Sequence, residues 1–284
     1  MALTRNESCV HEKIGVYDNY HTGHHAAMVL TEDIDLRIFP SHWRHAFAVE
    51  QEVEGGLRRS LQVFDAAGDS IHKVFVRDAD VDHAWATIQS EIALPDPVDH
   101  LAVAKRQPPE QPKSDASKVE ILRKEWTRMT DTHQFMRLTS KLKMNRLGAY
   151  RIAGAPFVRA LAPSAVDVML ETVRDREIDV MLFVGNRGCI QIHTGPVRTL
   201  KKMGPWQNVL DPGFNLHLRS DHVAEVWAVD KPTQRGAAVS VEAFDARGML
   251  IFQMFGVGKE GRDSRPVWRE IVQALPDLDM EAAV

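Results

Sequence analysis

The chain repeats itself at an offset of 180 residues, and this duplication constrains its fold more than any other feature. Cys9 recurs as Cys189, and Phe64-Asp-Ala-Ala-Gly68 recurs as Phe244-Asp-Ala-Arg-Gly248. Without a gap, 17 of the 71 positions from 6 to 76 are identical to the residue 180 positions later, where chance gives about 6%. We therefore expect two similar lobes with a site between them; duplication for stability alone is the alternative.

Short apolar stretches bounded by turn residues predict strands in both halves. Val180–Val184 and Gly188–His193 flank the turn Gly185-Asn186-Arg187. Strands joined by such short turns form antiparallel sheets. We expect an α+β fold: a tandem structural repeat of two antiparallel β-sheet lobes, each backed by helices and joined by a Pro-rich linker.

The duplication also sets the expected domain boundaries. Residues 1–103 form the first repeat lobe, residues 104–117 the linker, and residues 118–284 the second lobe. Only the second lobe has a helical section, roughly 117–178, ahead of its first strand. By comparison, we expect the first lobe to lack a helical segment of about fifty or more residues that a complete lobe would carry. A trimmed gene model and a naturally short form would both explain the difference.

Composition excludes several classes of protein. A formal net charge of -4 without a dense basic tail argues against a nucleic-acid binder. No apolar run reaches membrane-spanning length, and the N-terminal residues lack the apolar core of a signal peptide. We therefore expect a cytoplasmic protein that is not embedded in a membrane. Cys9 and Cys189 occupy equivalent places in separate lobes, which favours two small buried strand residues over a disulfide.

One histidine lies where a helix should begin. Asp131 and Gln134 have the spacing of a capping box, and apolar residues recur at helical spacing from Phe135 onward. His133 would then lie in the first turn, where the helix dipole keeps its imidazole neutral and able to bind a metal. An ordinary surface histidine is the alternative at this point.

Two further groups of polar residues could form a site. His21-Thr-Gly-His-His25 could bind a transition metal or be a solvated loop, which is the commoner outcome for such a cluster. Lys141, Lys143 and Arg146 follow the His133 helix and could either clamp an anionic ligand or form a solvated face. The chain has no P-loop, no Gly-x-Gly-x-x-Gly and no His-Glu-x-x-His.

Five stretches, taken together, resemble one family of proteins. They are Asn6 through Glu12, Asp35-Leu-Arg-Ile-Phe39, Thr130-Asp-Thr-His-Gln-Phe135, Phe183-Val-Gly-Asn-Arg-Gly-Cys-Ile-Gln-Ile192 and Lys231-Pro-Thr233. In these the chain resembles the cytoplasmic haemin-handling family of Gram-negative bacteria, the HemS/HmuS type or haemin-degrading factors. The resemblance covers nearly all of the chain and is missing where the first lobe lacks its opening helices.

The resemblance implies a role for each of several residues. His133 matches the proximal histidine that ligates haem iron, which makes it the metal ligand. Arg37 matches an arginine that reaches the distal side of the haem, where it would donate hydrogen bonds to a small ligand and act as the catalytic residue. Arg146 and Lys231 match basic residues near the haem propionates. His11 matches a histidine of the first lobe and is a second candidate contact.

Two functions follow from the resemblance, and the sequence does not separate them. One is an enzyme that binds haem between the two lobes and opens the porphyrin ring with dioxygen, so that iron is released for use by the cell. The other is a non-enzymatic carrier that buffers haem and delivers it to a separate haem oxygenase. A haem ABC transporter is a candidate partner in either case. A protein that no longer binds haem is a third, blander reading.

The sequence departs from the family in one motif. Where members commonly have Tyr-Gly-x-Arg after the last strand, this chain has Phe255-Gly-Val-Gly258. The phenol and the guanidinium are both absent. Lys259, one position on, could supply a positive charge but not a bidentate fork.

Overall fold

The structure is a computed structural model that describes residues 1–77, 81–96, 100–259 and 261–278. The strands are β1 (Ala2–Arg5), β2 (Cys9–Lys13), β3 (Tyr20–His21), β4 (Ala27–Leu30), β5 (Asp35–Ile38), β6 (His45–Val53), β7 (Gly56–Phe64), β8 (Ser70–Phe75), β9 (Val158–Leu161), β10 (Val180–Gly185), β11 (Cys189–Gly195), β12 (Leu200–Met203), β13 (Trp206–Asp211), β14 (Phe214–Arg219), β15 (Glu225–Lys231), β16 (Ala238–Phe244), β17 (Leu250–Gly256), β18 (Gly258–Lys259) and β19 (Arg262–Asp263). The helices are α1 (Asp82–Ile92), α2 (Val119–Thr127), α3 (Gln134–Lys141), α4 (Arg146–Ala153), α5 (Ala165–Asp175) and α6 (Arg265–Ala274). None of the helices in these ranges has the length and apolar character needed to cross a bilayer.

The first of two compact units contains Met1–Asn6, Val10–Pro108 and Val184–Ile192. One antiparallel ladder runs in the order β2-β1-β8-β7-β6, and another in the order β3-β4-β5-β11. Its core is a small cluster of buried apolar side chains. The members are Ala2, Val29, Ile34, Leu36, Ile71 and Cys189.

The second unit contains Glu7–Cys9, Pro109–Phe183 and the chain from His193 on. Its main ladder runs in the order β10-β17-β16-β15-β9, and β12, β13 and β14 form another. Helices α2, α3 and α4 contribute most of a large buried cluster that also includes Val229 of β15 and Phe244 of β16. Aromatic rings form its centre, with Trp126 4.5 Å from Phe135 and 6.0 Å from Tyr150 between ring centroids. The α+β class and the repeat architecture predicted from the sequence are confirmed.

Hydrogen bonds show that the duplication is structural. The side-chain amide of Asn6 donates to the carbonyl of Gly185 at 3.2 Å, and that of Asn186 donates to the carbonyl of Arg5 at 2.9 Å. Asn186 is the repeat equivalent of Asn6, and Arg5 is the repeat equivalent of Gly185. The two bonds are therefore equivalent in the two repeats. The boundaries 1–103, 104–117 and 118–284 stay a prediction, because the compact units are defined by contact and each takes a few residues from the other repeat.

The strand registers repeat as well. Ser60 pairs with Phe75, and the ladder between β7 and β8 is irregular at Phe64. The same pairing and the same irregularity recur 180 residues later between β16 and β17. The tight turn after Phe64 is held by the Asp65 carboxylate, which accepts from two backbone N–H groups at 2.9 Å, and Asp245 does the same in the second repeat.

Both cysteines are buried thiols, as the equivalent positions in the repeat predicted. Burial raises the pKa of Cys189 to about 12, so its thiol is uncharged and unreactive near neutral pH. The apolar stripe of α3 is also confirmed, since Phe135, Leu138 and Leu142 are all buried.

A buried polar network distinguishes the first unit from its counterpart. The two ring nitrogens of His72 lie 2.8 Å from the Thr4 hydroxyl and 2.7 Å from the Tyr17 hydroxyl, and Thr4 also donates to Gln191 at 2.9 Å. The residues 180 positions after Thr4, Tyr17 and His72 are valine, valine and phenylalanine. Burial, with a smaller effect of the N-terminal amino group, lowers the pKa of His72 from 6.5 to about 4.

This pKa makes the stability of the first unit depend on pH. The unfolded chain takes up a proton near pH 6.5, and the folded chain only near pH 4. The stabilisation is therefore present above pH 6.5 and is lost as pH falls through 4, with a total change of about 3 kcal/mol. We expect urea unfolding to show this loss between pH 6.5 and 4, and His72→Gln to flatten it. Replacing the exposed His83 of α1 by Gln is the control, and equal slopes in the two variants would contradict the assignment.

Candidate functional site

His133 lies in the second unit, in the loop between α2 and α3. Helix α3 begins at Gln134, so His133 is its N-cap residue and does not lie inside the first turn as the sequence suggested. Its side chain is 94% exposed. The imidazole can therefore reach a ligand without any rearrangement of the core.

A carboxylate orients the His133 ring. Oδ1 of Asp131 lies 2.7 Å from Nδ1 of His133 and also accepts from the His133 backbone N–H at 2.7 Å. The backbone bond first, and then the ring, lower the pKa of Asp131. In the tautomer that donates its Nδ1 proton to Asp131, the lone pair of Nε2 is left for a ligand on this exposed ring. Histidines that ligate metals are commonly held by a carboxylate in this way.

The capping contact differs from the expected pairing of Asp131 with Gln134. The Gln134 side chain bonds to Thr130 instead: its oxygen accepts the Thr130 backbone N–H at 2.9 Å, and its nitrogen donates to the Thr130 hydroxyl at 3.1 Å. Asp131 is thereby left for His133. The expected capping box is wrong in its partners, although the helix does begin at this point.

The His133 loop is tied to the loop that follows β15. The backbone N–H of Gln234 donates to the carbonyl of Thr130 at 3.0 Å, and the indole of Trp126 donates to the carbonyl of Asp230 at 3.0 Å. Asp230 and Gln234 lie on either side of Lys231 in the sequence. The segment that carries His133 is therefore hydrogen-bonded to the segment that carries Lys231.

A buried ion cluster brings together two of the residues predicted from the sequence. Glu242 of β16 is fully buried and accepts from Lys231 at 2.7 Å on one oxygen and from Arg146 at 2.7 Å on the other. Lys231 also donates to the hydroxyl of Tyr150 at 2.9 Å, and the Ser240 hydroxyl donates to Glu242 at 2.9 Å. Two cations share one carboxylate, so the cluster has excess positive charge.

The two cations keep the carboxylate ionised. Burial alone would raise the pKa of Glu242, but Lys231 and Arg146 outweigh it and hold that pKa well below its ordinary value. Burial lowers the pKa of Lys231, and the charge of Glu242 opposes that change. Burial likewise raises the pKa of Tyr150, which stays a neutral hydroxyl.

Arg146 is the member of this cluster that reaches solvent. It is the first residue of α4 and its side chain is 23% exposed, whereas the Lys231 side chain is 4% exposed. A second nitrogen of Arg146 lies 3.6 Å from the sulfur of Met136, which is on α3 three residues after His133. Lys231 lies 5.1 Å from the ring centroid of Phe135 on the same helix. The cluster therefore adjoins the helix that His133 caps.

The first repeat has the equivalent strands but not the buried ion cluster. Gln62 and Gln51 stand where the second repeat has Glu242 and Lys231. The side-chain nitrogen of Gln62 donates to the Ser60 hydroxyl at 3.0 Å, whereas the Ser240 hydroxyl donates to Glu242. A neutral amide thus replaces the carboxylate where the paired cation is absent, and the ion cluster belongs to the second repeat alone.

Arg37 lies on β5 in the first unit. Its guanidinium pairs with Asp35 and donates to the carbonyl of Leu36 at 3.2 Å, and its side chain is 32% exposed. The structure thus places Arg146 and Lys231 together on the second unit. The distal role of Arg37 stays a prediction.

Four further histidines lie on other strands or at the surface. His11 is fully buried on β2, and the His193 ring stacks on Phe214 with centroids 3.7 Å apart. His24 and His25 contact each other at the surface. Within the described ranges, no three His, Cys, Asp or Glu side chains are grouped to hold a metal ion. Ligation of a haem iron needs only one imidazole from the protein and is a separate case.

A guanidinium occupies the space beside Gly258. A Cβ at Gly258 would lie 2.8 Å from Nε of Arg265 and 3.0 Å from its Cζ, so the glycine makes room for this arginine. Arg265 is the first residue of α6 and forms a bidentate pair with Asp263 at 2.8 and 2.7 Å. Together with Phe255 and Arg269 it lines a cavity of about 80 Å³. A guanidinium from seven residues further along thus lies beside Gly258, and Asp263 pairs with its charge.

Comparison with known proteins identifies the family. The model of the haemin-degrading HemS/ChuX domain matches residues 1–92 and 143–275. The chain belongs to this haemin-degrading family. It is 34% identical over 283 residues to the hemin transport protein HmuS of Yersinia pestis, covering 99% of this chain and 81% of that protein.

Solved structures agree with this assignment. The crystal structure of holo-PhuS, a heme-binding protein from Pseudomonas aeruginosa, matches with a TM-score of 0.92 and 40% identity, over 98% of this chain and 81% of that one. ChuS, an E. coli heme oxygenase, matches with a TM-score of 0.85 and 33% identity, over 96% of this chain and 82% of that one. His133 lies between the two ranges that the family model matches, so its role depends on its motif and geometry.

Sequence reasoning missed three residues of the site. The sequence predicts Asp131 only as a helix cap, and Tyr150 and Glu242 belong to none of the groups that it predicts. Glu242 did leave a signal, because it is the one charged residue in the apolar strand Ala238-Val-Ser-Val-Glu-Ala-Phe244. An isolated charge in a strand of this kind needs a buried partner.

Loss of the Glu242 charge should destabilise the second unit strongly. Glu242→Gln leaves Lys231 and Arg146 buried without their anion, and we expect the free energy of unfolding to fall by about 3–5 kcal/mol. Glu225→Gln, which removes a partly exposed partner of Arg151, should cost less than about 1 kcal/mol. Urea denaturation measures both values. Equal costs in the two variants would show that the cluster does not hold the helices on the sheet.

Proposed function

We propose that this chain is a haem-binding protein of haemin uptake and iron utilisation, with His133 as the ligand of the haem iron. One observation carries the proposal: the His133 side chain is 94% exposed while Asp131 holds its Nδ1 at 2.7 Å. A neutral imidazole fixed in one orientation is what a haem iron requires of the protein. Membership in the haemin-degrading family supports the choice of ligand.

The basic cluster supplies the second requirement of haem, a cation for its carboxylates. Arg146 reaches the surface and keeps donor capacity beyond its bond to Glu242. In this proposal Arg146 contacts a propionate directly. Lys231 is closed off from solvent, and it adds positive charge and positions Arg146 through their shared carboxylate.

The proposed function includes degradation of the bound haem to release iron. Haem supplies the redox chemistry when it is bound, and the protein supplies the axial imidazole and a polar environment. Arg37 is the candidate donor on the distal side; a guanidinium keeps its proton and so acts by donating hydrogen bonds. A carrier that delivers haem to a separate haem oxygenase is the second candidate, since PhuS is described as a heme-binding protein and ChuS as a heme oxygenase.

The cytoplasm is the proposed location. A haem ABC transporter is the proposed source of haem, and a haem oxygenase the recipient under the carrier function. Support comes from the similarity to the hemin transport protein HmuS.

Removal of the proposed iron ligand should weaken haem binding strongly. We expect His133→Ala to shift the Soret maximum in a haemin titration and to weaken binding roughly tenfold or more. His83→Ala removes another exposed histidine and is the matched control. A His133→Ala protein with the spectrum and affinity of the wild type would show that another residue ligates the iron.

Substitution of Arg37 should separate haem binding from haem degradation. Arg37→Ala should leave haem affinity within about threefold of the wild type, because the guanidinium does not ligate iron. It should alter the spectrum that reports the sixth ligand and slow the loss of the Soret band after a reductant is added in air. Arg58→Ala, a change of an exposed arginine on β7, is the control. Wild-type decay in the Arg37 variant would remove the distal role, and absence of decay in the wild type would favour the carrier.

A further inference from the structure

A cavity in the second unit is bordered by two arginines of α6. It lies between this helix and the loop that joins β15 to β16, and its volume is about 80 Å³. Arg265 and Arg269 are four residues apart, so their side chains lie on the same face of α6, and both line the cavity. A space of this size is roughly five times what one water molecule needs and accommodates a carboxylate group.

The guanidinium of Arg265 is held in place and keeps donors for a ligand. Its Nε and Nη2 donate to the two carboxylate oxygens of Asp263 at 2.8 and 2.7 Å, and its Nη1 donates to the carbonyl of Arg235 at 3.0 Å. A guanidinium has five N–H groups, so two of them remain for a ligand after these three bonds. The bonds fix the orientation of the guanidinium before a ligand arrives, which lowers the entropic cost of binding.

The second arginine is available in full. Arg269 is exposed, and its guanidinium forms no hydrogen bond or ion pair with another described residue. Asp230 is the acidic group whose charge it influences. Burial raises the pKa of Asp230, and the positive charge of Arg269 opposes this change without cancelling it. Two arginines at this spacing on one helix repel each other, and an anion between them relieves the repulsion.

The rest of the cavity wall is largely apolar. Trp268 is buried, and its indole N–H donates to the carbonyl of Val239 at 2.9 Å. A Cβ at Gly256 would lie 2.7 Å from Cβ of Trp268, so the glycine allows the helix to approach the strand here. Apolar walls reduce screening by water, which strengthens the attraction between a guanidinium and a bound anion.

The equivalent helix of the first repeat has no such pair of cations. Trp85 of α1 and Trp268 of α6 are both buried, and they align the two helices. The positions of the two arginines are then taken by Asp82 and Ala86. Asp82 forms an ion pair with Arg59 at 2.5 Å. The paired arginines therefore belong to the second repeat alone.

We propose that Arg265 and Arg269 bind a carboxylate in this cavity. The carboxylate has two possible sources, a propionate of haem and a small carboxylate from solution, and the arginines recognise both by the same chemistry. The cavity loop adjoins the segment that carries His133, because the backbone N–H of Gln234 donates to the carbonyl of Thr130 at 3.0 Å. The propionate source rests on the proposed function, whereas the solution source does not.

Haemin and haemin dimethyl ester, whose propionates are blocked, test the first source. If a propionate enters the cavity, Arg265→Gln and Arg269→Gln should each weaken haemin binding roughly tenfold and leave binding of the ester unchanged. Arg269→Gln removes a side chain without hydrogen bonds to the described residues, so its effect does not come from altered folding. Arg176→Gln is the matched control, because Arg176 pairs with Glu270 of the same helix and does not line the cavity.

Titration of the haem-free full chain with sodium acetate tests the second source. At constant ionic strength, with chloride as the reference anion, acetate should shift the Nε–H nuclear magnetic resonance signals of Arg265 and Arg269 and leave that of Arg176 in place. This measurement does not involve haem. It therefore tests the cavity even if the wild type fails to bind haemin, a result that would contradict the proposed function.

The two arms together decide the proposal. A loss of affinity confined to haemin identifies a propionate as the ligand, and an acetate shift at the two arginines identifies a carboxylate from solution. Unchanged binding of both porphyrins by the two variants, together with no acetate shift, would overturn the proposal. Equal losses for haemin and its ester without an acetate shift would show that the arginines are structural, and would overturn it as well.

Discussion

The candidate site depends on the two ion pairs that the Glu242 carboxylate forms with Lys231 and Arg146. This carboxylate joins a strand of the sheet to the first residue of α4 through Arg146 and to the end of β15 through Lys231. Replacing a buried ion pair by apolar side chains commonly leaves stability unchanged or increases it, whereas removal of one partner is costly. The cluster therefore fixes the positions of Arg146 and Lys231 more than it adds to the stability of the fold. It sets where a guanidinium meets the surface beside the helix that follows His133.

The same framework fixes the histidine. Trp126 and Thr130 anchor the segment before His133 to the backbone on either side of Lys231, and Asp131 then orients the ring. The first repeat keeps the strands and turns but has Gln62 in place of Glu242. The two repeats thus share their strands and turns, but the ion cluster and the neighbouring His133 belong to the second repeat.

Much of the fold follows from the sequence because its signals are local or periodic. The 180-residue offset predicted the repeat, the strand pattern predicted the ladders, and the spacing of Phe135, Leu138 and Leu142 predicted the buried face of α3. The site was only partly predictable, because its contacts join residues that are distant in sequence. Nothing local to Gly258 shows that Arg265 fills the space beside it.

Competition between hydrogen-bond partners explains why the observed cap of α3 differs from the predicted capping box. Asp131 and Gln134 have the spacing of a capping box, but Thr130 offers Gln134 a backbone N–H and a hydroxyl together. That choice leaves the Asp131 carboxylate to the histidine. The side-chain amides of Asn6 and Asn186 likewise donate to carbonyls far away in the sequence, those of Gly185 and Arg5.

The central claim is that haem iron binds a His133 imidazole held by Asp131. Resonance Raman spectroscopy of the ferrous haem complex tests it directly, because the iron–histidine stretching band reports the strength of that bond. A hydrogen bond from Nδ1 to a carboxylate makes the imidazole a stronger donor. We predict an iron–histidine band in the wild type that moves to lower frequency in Asp131→Asn. A wild-type complex without this band, or a band at the same frequency in both proteins, would contradict the account.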